Sequence, residues 1–133
     1  MVIEVEGSIM RILAHGTFDI IHYGHVNYLE KAKSFGDYLV VCVTSDKLAK
    51  KNGKNPFFDE NIRMKMISSL KVVDEVILRD EKFSSDMIKN LNINTFVTIS
   101  HSFDYLDECC KVIHVERTKE ISSTDIKQHL LKN

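Results

Sequence analysis

The sequence predicts an α/β domain: a Rossmann-like parallel sheet of about five strands with helices on both faces. Three observations predict it. Short, almost continuously apolar β-rich runs recur along the chain, as in strands covered on both faces. Helical patterns separate them, in the order βαβαβαβαβ. A glycine-bearing turn follows the first strand and opens the first helix, which is the ligand-binding end of such folds.

The strand candidates are RILAH (11–15), YLVVCVT (38–44), EVIL (75–78), TFVTI (95–99) and KVIHV (111–115). The first helix is expected over about 25–35, ending near Gly36 as helices often end at a glycine. The second follows Asp59 as N-cap, with Ile62, Met66, Ile67 and Leu70 at helical spacing. A third covers about 85–91, a short one 104–110, and the last runs from Ser122 or Ser123 through Ile126 to Leu131. AKKNGKNPFF (49–58), with the single proline Pro56, reads as a polar loop.

A length of 133 residues suits one domain with a real core. Residues 1–10 read as an N-terminal extension or a lead-in to the first strand, and 11–133 as a single domain. With 44% hydrophobic and 28% charged residues, a soluble globular fold is expected. The net charge of -1 argues against broad attraction to nucleic acid or anionic membrane. No apolar run reaches membrane-span length and no signal pattern opens the chain. Cys42, Cys109 and Cys110 form neither a spaced disulfide framework nor a C-x-x-C or C-x-x-H zinc pair. The expected location is the cytoplasm.

GTFDIIHYGH (16–25) follows the first strand and places two imidazoles three residues apart. His22 and His25 could be metal ligands, an acid/base pair, a phosphate grip or plain helix-start residues. Their place at a strand end and helix start favours an anion, because backbone N–H groups and the helix dipole face it. There is no G-x-G-x-x-G and no P-loop lysine, and no third metal ligand is nominated. A phosphate grip by histidines remains. Gly16 is read as permitting a sharp turn and Gly24 as permitting close approach of a ligand to backbone. Asp19, in the same turn, suggests a structural hydrogen bond at least as readily as a catalytic carboxylate.

ERTKEISSTDIK (116–127) precedes the last helix. Arg117 suits bidentate pairing with phosphate oxygens. Ser122, Ser123 and Thr124 offer hydroxyls at a helix start, or an ordinary N-cap. The lysine-rich loop and Arg63 beyond it supply cations, or simply a solvated surface.

GTFD followed by H-x-G-H resembles the nucleotidyltransferase superfamily that includes cytidylyltransferases and pantetheine-phosphate adenylyltransferases. The R-T-x-x-I-S-[ST]-T pattern resembles the signature of its cytidylyltransferase branch. With GDYLVV (36–41) and VDEVI (73–77), the likeness to the glycerol-3-phosphate cytidylyltransferase family extends over about 11–132. The resemblance implies transfer of CMP from CTP to a phosphorylated small alcohol. The best match is sn-glycerol 3-phosphate, giving CDP-glycerol and pyrophosphate for wall or capsule polymers. Alternatives are another phosphoacceptor, ATP in place of CTP, or a nucleotide-binding module that has lost catalysis.

The resemblance also assigns residues. His22 and His25 would act on the α-phosphate and leaving group, with Lys54 and Arg117 neutralising charge. Thr17, Phe18, Tyr23, Gly24, Arg63, Thr118, Ile121, Ser122, Ser123 and Thr124 would shape the nucleotide pocket. Asp19, Lys51 and Lys82 are the acceptor-binding candidates. Mg²⁺ would bridge the phosphates without protein ligands, and the assembly would be a homodimer. The chain departs from the family at TISHSFDYL (98–106), which replaces a Gly-x-Asp-Trp segment and offers His101 or Asp104 for its contacts. Asn52, and Ser84 or Ser85, stand where the family has lysines for the acceptor phosphate. These departures bear on the acceptor and leave the triphosphate machinery in place.

Overall fold

The computed structural model describes residues 8–118 and 123–132. Five strands form one sheet: β1 (Arg11–Gly16), β2 (Tyr38–Thr44), β3 (Glu75–Arg79), β4 (Thr95–Thr98) and β5 (Lys111–His114). Their order is β3-β2-β1-β4-β5, and every neighbouring pair is parallel. The helices are α1 (Tyr23–Lys33), α2 (Asp46–Lys51), α3 (Glu60–Ser68), α4 (Ser85–Asn90) and α5 (Ser123–Lys132), with a 3-10 helix at His101–Glu108.

Successive strand residues point to opposite faces, so each apolar run feeds two cores. On one side Ile12, Ala14, Leu39, Val41, Val43 and Val97 pack with Tyr28, Leu29 and Ala32 of α1 and Ile67 of α3. On the other, Leu13, Val40, Cys42 and Phe96 pack with Phe83, Ile88 of α4 and Leu106 of the 3-10 helix. Both faces are covered, as the sequence predicts. The strand order reverses at β1, so a crevice opens beyond the carboxyl ends of β1 and β4, the ligand position of open α/β sheets.

The strands agree with the sequence reading to within a residue at each end. Helix α1 begins earlier than expected because His22 is its N-cap. It ends at Ser34, and Gly36 is not in the left-handed region. Gly36 is there for space: a Cβ would meet Ile12 Cδ1 at 2.6 Å and the Met10 carbonyl oxygen at 2.8 Å. Asp59 caps α3 as expected, accepting the Ile62 N–H at 3.0 Å. The expected short helix over 104–110 is the 3-10 helix, which starts and ends earlier.

The supposed loop at 49–58 needs correcting, since part of it is helix α2. Ser45 caps α2 by accepting the Leu48 N–H at 3.0 Å, and Leu48 and Ala49 are buried. Gly53, at φ 80°, closes the helix. The Gly53 N–H donates to the Lys50 carbonyl at 3.0 Å and the Lys54 N–H to the Ala49 carbonyl at 2.9 Å, a Schellman ending. This ending fixes the backbone that presents Lys54. No described helix is long and apolar enough to cross a membrane.

Candidate active site

A cavity of about 930 Å³ lies at the carboxyl end of the sheet. The β1 turn, the α1 start, the 52–56 segment, the ends of β2, β3 and β4, and the α5 start all line it. Its walls carry His15, His22, His25, Lys54, Arg79, Arg117 and Lys127. Asp19 is the one carboxylate among the described lining residues.

The two histidines of H-x-G-H are built into the start of α1. The His22 Nδ1 accepts the Gly24 N–H at 3.1 Å, and the His25 Nδ1 accepts the His22 N–H at 3.3 Å. A nitrogen that accepts carries no proton, so each neutral ring bears its hydrogen on Nε2. The helix cap thereby fixes both tautomers and leaves two Nε2–H donors. The rings stack with centroids 3.9 Å apart. Burial, then His22 and Arg117, bring the His25 pKa down to about 4. Burial, then Arg117, lower that of His22. Both are neutral donors at pH 7. Gly24 makes the arrangement possible, because a Cβ there would meet His22 Cε1 at 2.9 Å.

The turn before them is strained and pinned. Phe18 has φ 54°, rare for a bulky residue, and its ring lies over Gly16, where a Cβ would approach it to 2.9 Å. Gly16 thus serves close packing under Phe18. Phe18 also meets His25 edge-on, with centroids 5.3 Å apart. Arg63 Nη1 donates to the Thr17 carbonyl at 2.6 Å and to the Thr44 carbonyl at 2.7 Å. Asp19 Oδ1 accepts the N–H groups of Phe57 and Phe58 at 2.8 and 3.1 Å, and Asp19 Oδ2 pairs with Lys127. Burial alone would raise the Asp19 pKa, but Lys127 and these N–H groups hold it below the usual carboxylate range. Asp19 therefore ties three segments together, and its oxygens are committed.

Alongside, Asn27 Nδ2 donates to Thr118 Oγ1 at 3.3 Å and Ser123 Oγ to the Ile20 carbonyl at 3.0 Å. These bonds join the α5 start and the strand-five exit to the histidine turn. The two distant sequence motifs therefore meet directly and line one cavity together. Residues 13–129 match the family model described as cytidylyltransferase-like. The chain belongs to the cytidylyltransferase-like family.

As a member of that family it is a nucleotidyltransferase. It is similar to the glycerol-3-phosphate cytidylyltransferase of Staphylococcus aureus, with 36% identity over 127 residues, 90% of this chain and 94% of that protein. It is also similar to an FAD synthase of Thermoplasma acidophilum, with 52% identity over 82 residues; the match covers 62% of this chain and 56% of that protein. Among solved structures, a lipopolysaccharide core biosynthesis protein of Thermoplasma volcanium superposes with a TM-score of 0.76 at 34% identity, covering 84% of this chain and 100% of that one.

Of the residues nominated from sequence for this cytidylyltransferase-like site, Thr17, Phe18, Asp19, His22, Gly24, His25, Lys54, Arg117, Thr118, Ser123 and Thr124 line the cavity. Ile121 and Ser122 lie outside the described residues. Tyr23 is 64% exposed and does not line it. Arg63 is corrected from nucleotide ligand to pin: it is fully buried and its guanidinium is spent on carbonyls and Asp46. Lys51 and Lys82 are exposed and do not line the cavity, and Lys82 lies over the Tyr105 ring at 4.7 Å. Asp104 pairs with His114 at 2.8 Å, and His101 stacks on His114, so this trio ties the 3-10 helix to β5.

The sequence reading missed His15, Arg79 and Lys127. His15 ends the β1 run and is hydrogen-bonded through Nε2 to Thr98 Oγ1 at 2.9 Å, across the switch point. Its ring packs among Phe83, Phe96 and Phe103. Burial, then Arg79 and Lys54, bring its pKa down to about 3. A polar residue closing an apolar strand was the available signal.

Proposed function

We propose that the chain transfers a nucleoside monophosphate from a nucleoside triphosphate to a phosphorylated small alcohol, with CTP and sn-glycerol 3-phosphate as the leading pair. A phosphate oxygen of the acceptor attacks the α-phosphorus in line. The α–β bridging bond breaks, and its electron pair leaves with pyrophosphate. The attacking phosphate oxygen needs no base at neutral pH, which suits a cavity rich in donors. His22 and His25 give Nε2–H bonds to the α-phosphate and leaving oxygens, while Arg117 and Lys54 neutralise the phosphate chain. Such preset donors stabilise a transition state without reorganising.

The observation that carries this reading is the tautomer lock: both Nδ1 atoms accept backbone N–H, which leaves both Nε2–H groups for an oxyanion. A divalent cation such as Mg²⁺ does not fit as an ion held by the side chains of this cavity. The one described lining carboxylate, Asp19, is already paired with Lys127, so the ligands would be triphosphate oxygens and water.

The similarity to the Staphylococcus aureus enzyme over 94% of its length supports the CTP and glycerol phosphate pair, with CDP-glycerol as the product. The 52% identity to the FAD synthase supports a second reading, AMP transfer from ATP onto a flavin phosphate. Cytoplasmic location is supported by three free cysteines, which suit a reducing compartment. The family resemblance supports a homodimer, which light scattering tests. The deciding experiment incubates purified protein with each nucleoside triphosphate and a panel of phosphomonoesters, including glycerol 3-phosphate and FMN. Products and pyrophosphate are then identified. CDP-glycerol is the expected product; FAD would install the second reading. Tight nucleotide binding with no turnover across the panel would leave a binding module.

A further inference from the structure

Arg63 and Arg79 both sit at the carboxyl end of the sheet, and their surroundings differ. Arg63 is fully buried with its donors engaged: Nε to the Phe58 carbonyl at 3.0 Å, Nη1 to those of Thr17 and Thr44, and Nη2 to Asp46 Oδ1 at 2.7 Å. Arg79, the last residue of β3, is 9% exposed. Its Nη1 donates to the Glu81 carbonyl at 3.1 Å, and its Nη2 reaches Thr44 Oγ1 only at 3.5 Å. Its Nε is buried without an acceptor. No carboxylate among the described residues pairs with it.

Burying a guanidinium with donors unmet is costly, and such a charge persists where an anion completes it. The Phe83 ring, 4.1 Å from the guanidinium carbon, holds the group without neutralising it. Arg79 lines the same cavity as Lys54, Thr44 and His15. The cavity thus has two cationic poles. One is Arg117 with the neutral donors His22 and His25, assigned together with Lys54 to the triphosphate. The other is Arg79 beside a neutral His15, with no carboxylate counterpart; Lys54, which serves the triphosphate, acts on the same His15.

We propose that Arg79 receives the phosphate of the acceptor, a dianionic phosphomonoester, with the Thr44 hydroxyl beside it. A planar fork suits two oxygens of one phosphate and leaves the third to face the α-phosphorus. Arg79 takes the place that the sequence reading gave to Lys51 and Lys82. The proposal rests on the nucleotidyl-transfer reading above.

Arg79→Gln and Arg79→Lys test it, each checked for folding by circular dichroism. In Arg79→Gln the KM for the acceptor is expected to rise roughly thirtyfold, the scale of a lost charge-assisted hydrogen bond, with the nucleotide KM within about threefold. Arg79→Lys falls between. An unchanged acceptor KM, or equal loss toward both substrates, overturns the proposal. A second arm needs no turnover and no variant of Arg79. The Arg79 Nε–H resonance is followed by NMR while inorganic phosphate is titrated into the wild type and into Arg117→Gln, which weakens the other pole. A saturable shift in both is expected, and an unmoved resonance overturns the assignment. Absence of turnover with every acceptor defeats the functional reading instead, and the titration then decides Arg79 alone.

Discussion

The imidazole rings of His22 and His25 stack 3.9 Å apart, each with its Nδ1 tied to a backbone N–H of the same helix start. One arrangement thus caps α1 and sets the protonation of two histidines that line the cavity. Cap and chemistry can be separated by substitution.

Asn at position 22 keeps a cap acceptor but has no imidazole Nε2–H. His22→Ala is expected to destabilise the fold by about 1 kcal/mol, the usual scale of a lost N-cap, while His22→Asn stays near wild type. Both are expected to lose catalytic rate by roughly 10²-fold, the scale of a missing oxyanion donor. Urea melts and steady-state kinetics on the pair check this. A fully active His22→Asn would mean that capping is the whole role of His22.

Arg63 is the second separable case. Its guanidinium holds the Thr17, Thr44 and Phe58 carbonyls and Asp46 at once. Arg63→Ala is expected to cost about 3 kcal/mol, because several buried acceptors lose their donor together. Arg63→Lys is also expected to be unstable, since one ammonium cannot span those oxygens. Urea midpoints at constant m measure both. Wild-type stability in Arg63→Lys with loss of CTP affinity would return Arg63 to the nucleotide site.

Stability should also depend on pH with a definite sign. Folding holds the pKa of His15 at about 3 and that of His25 at about 4, against 6.5 ordinarily. The unfolded chain therefore takes up protons that the fold refuses as pH falls below about 6.5, and stability drops from there toward about 4 and 3. Above about pH 7 these two groups contribute no slope. Asp19 and Asp74, held below their usual range, lose their share only at pH lower than the ordinary carboxylate values. Urea midpoints from pH 7.5 to 4.5 test this, with His15→Phe expected to flatten part of the slope. A flat wild-type profile between pH 6.5 and 4.5 would contradict the neutral, buried histidines.

The sequence made some of this legible, and physical reasons separate what it made legible from what it hid. YLVVCVT is β2 to the residue because both faces of that strand are buried, so nothing interrupts its apolar run. Asp59 announced α3 because a carboxylate is a strong helix-start signal, but the face read from the spacing was partly wrong: Ile62 and Met66 are exposed, and Arg63 and Ile67 are the buried residues. Helix α2 was hidden because it buries just Leu48 and Ala49 in six residues, too few for a period to show. The cap role of His22 was hidden because histidine is not a usual cap residue. Arg63 and Arg79 exchanged their expected importance for a similar reason. Charge is visible in a sequence, but whether carbonyls already satisfy it is a property of the fold.

The central claim is that His22 and His25 act as paired donors to the α-phosphate. Its most direct test is the single-turnover rate of pyrophosphate release by wild type and His25→Ala, at saturating nucleotide and acceptor, with CTP affinity measured alongside. The account predicts a rate lower by roughly 10²-fold or more in His25→Ala, with the fold intact and affinity changed only a few-fold. A rate near that of the wild type would contradict it.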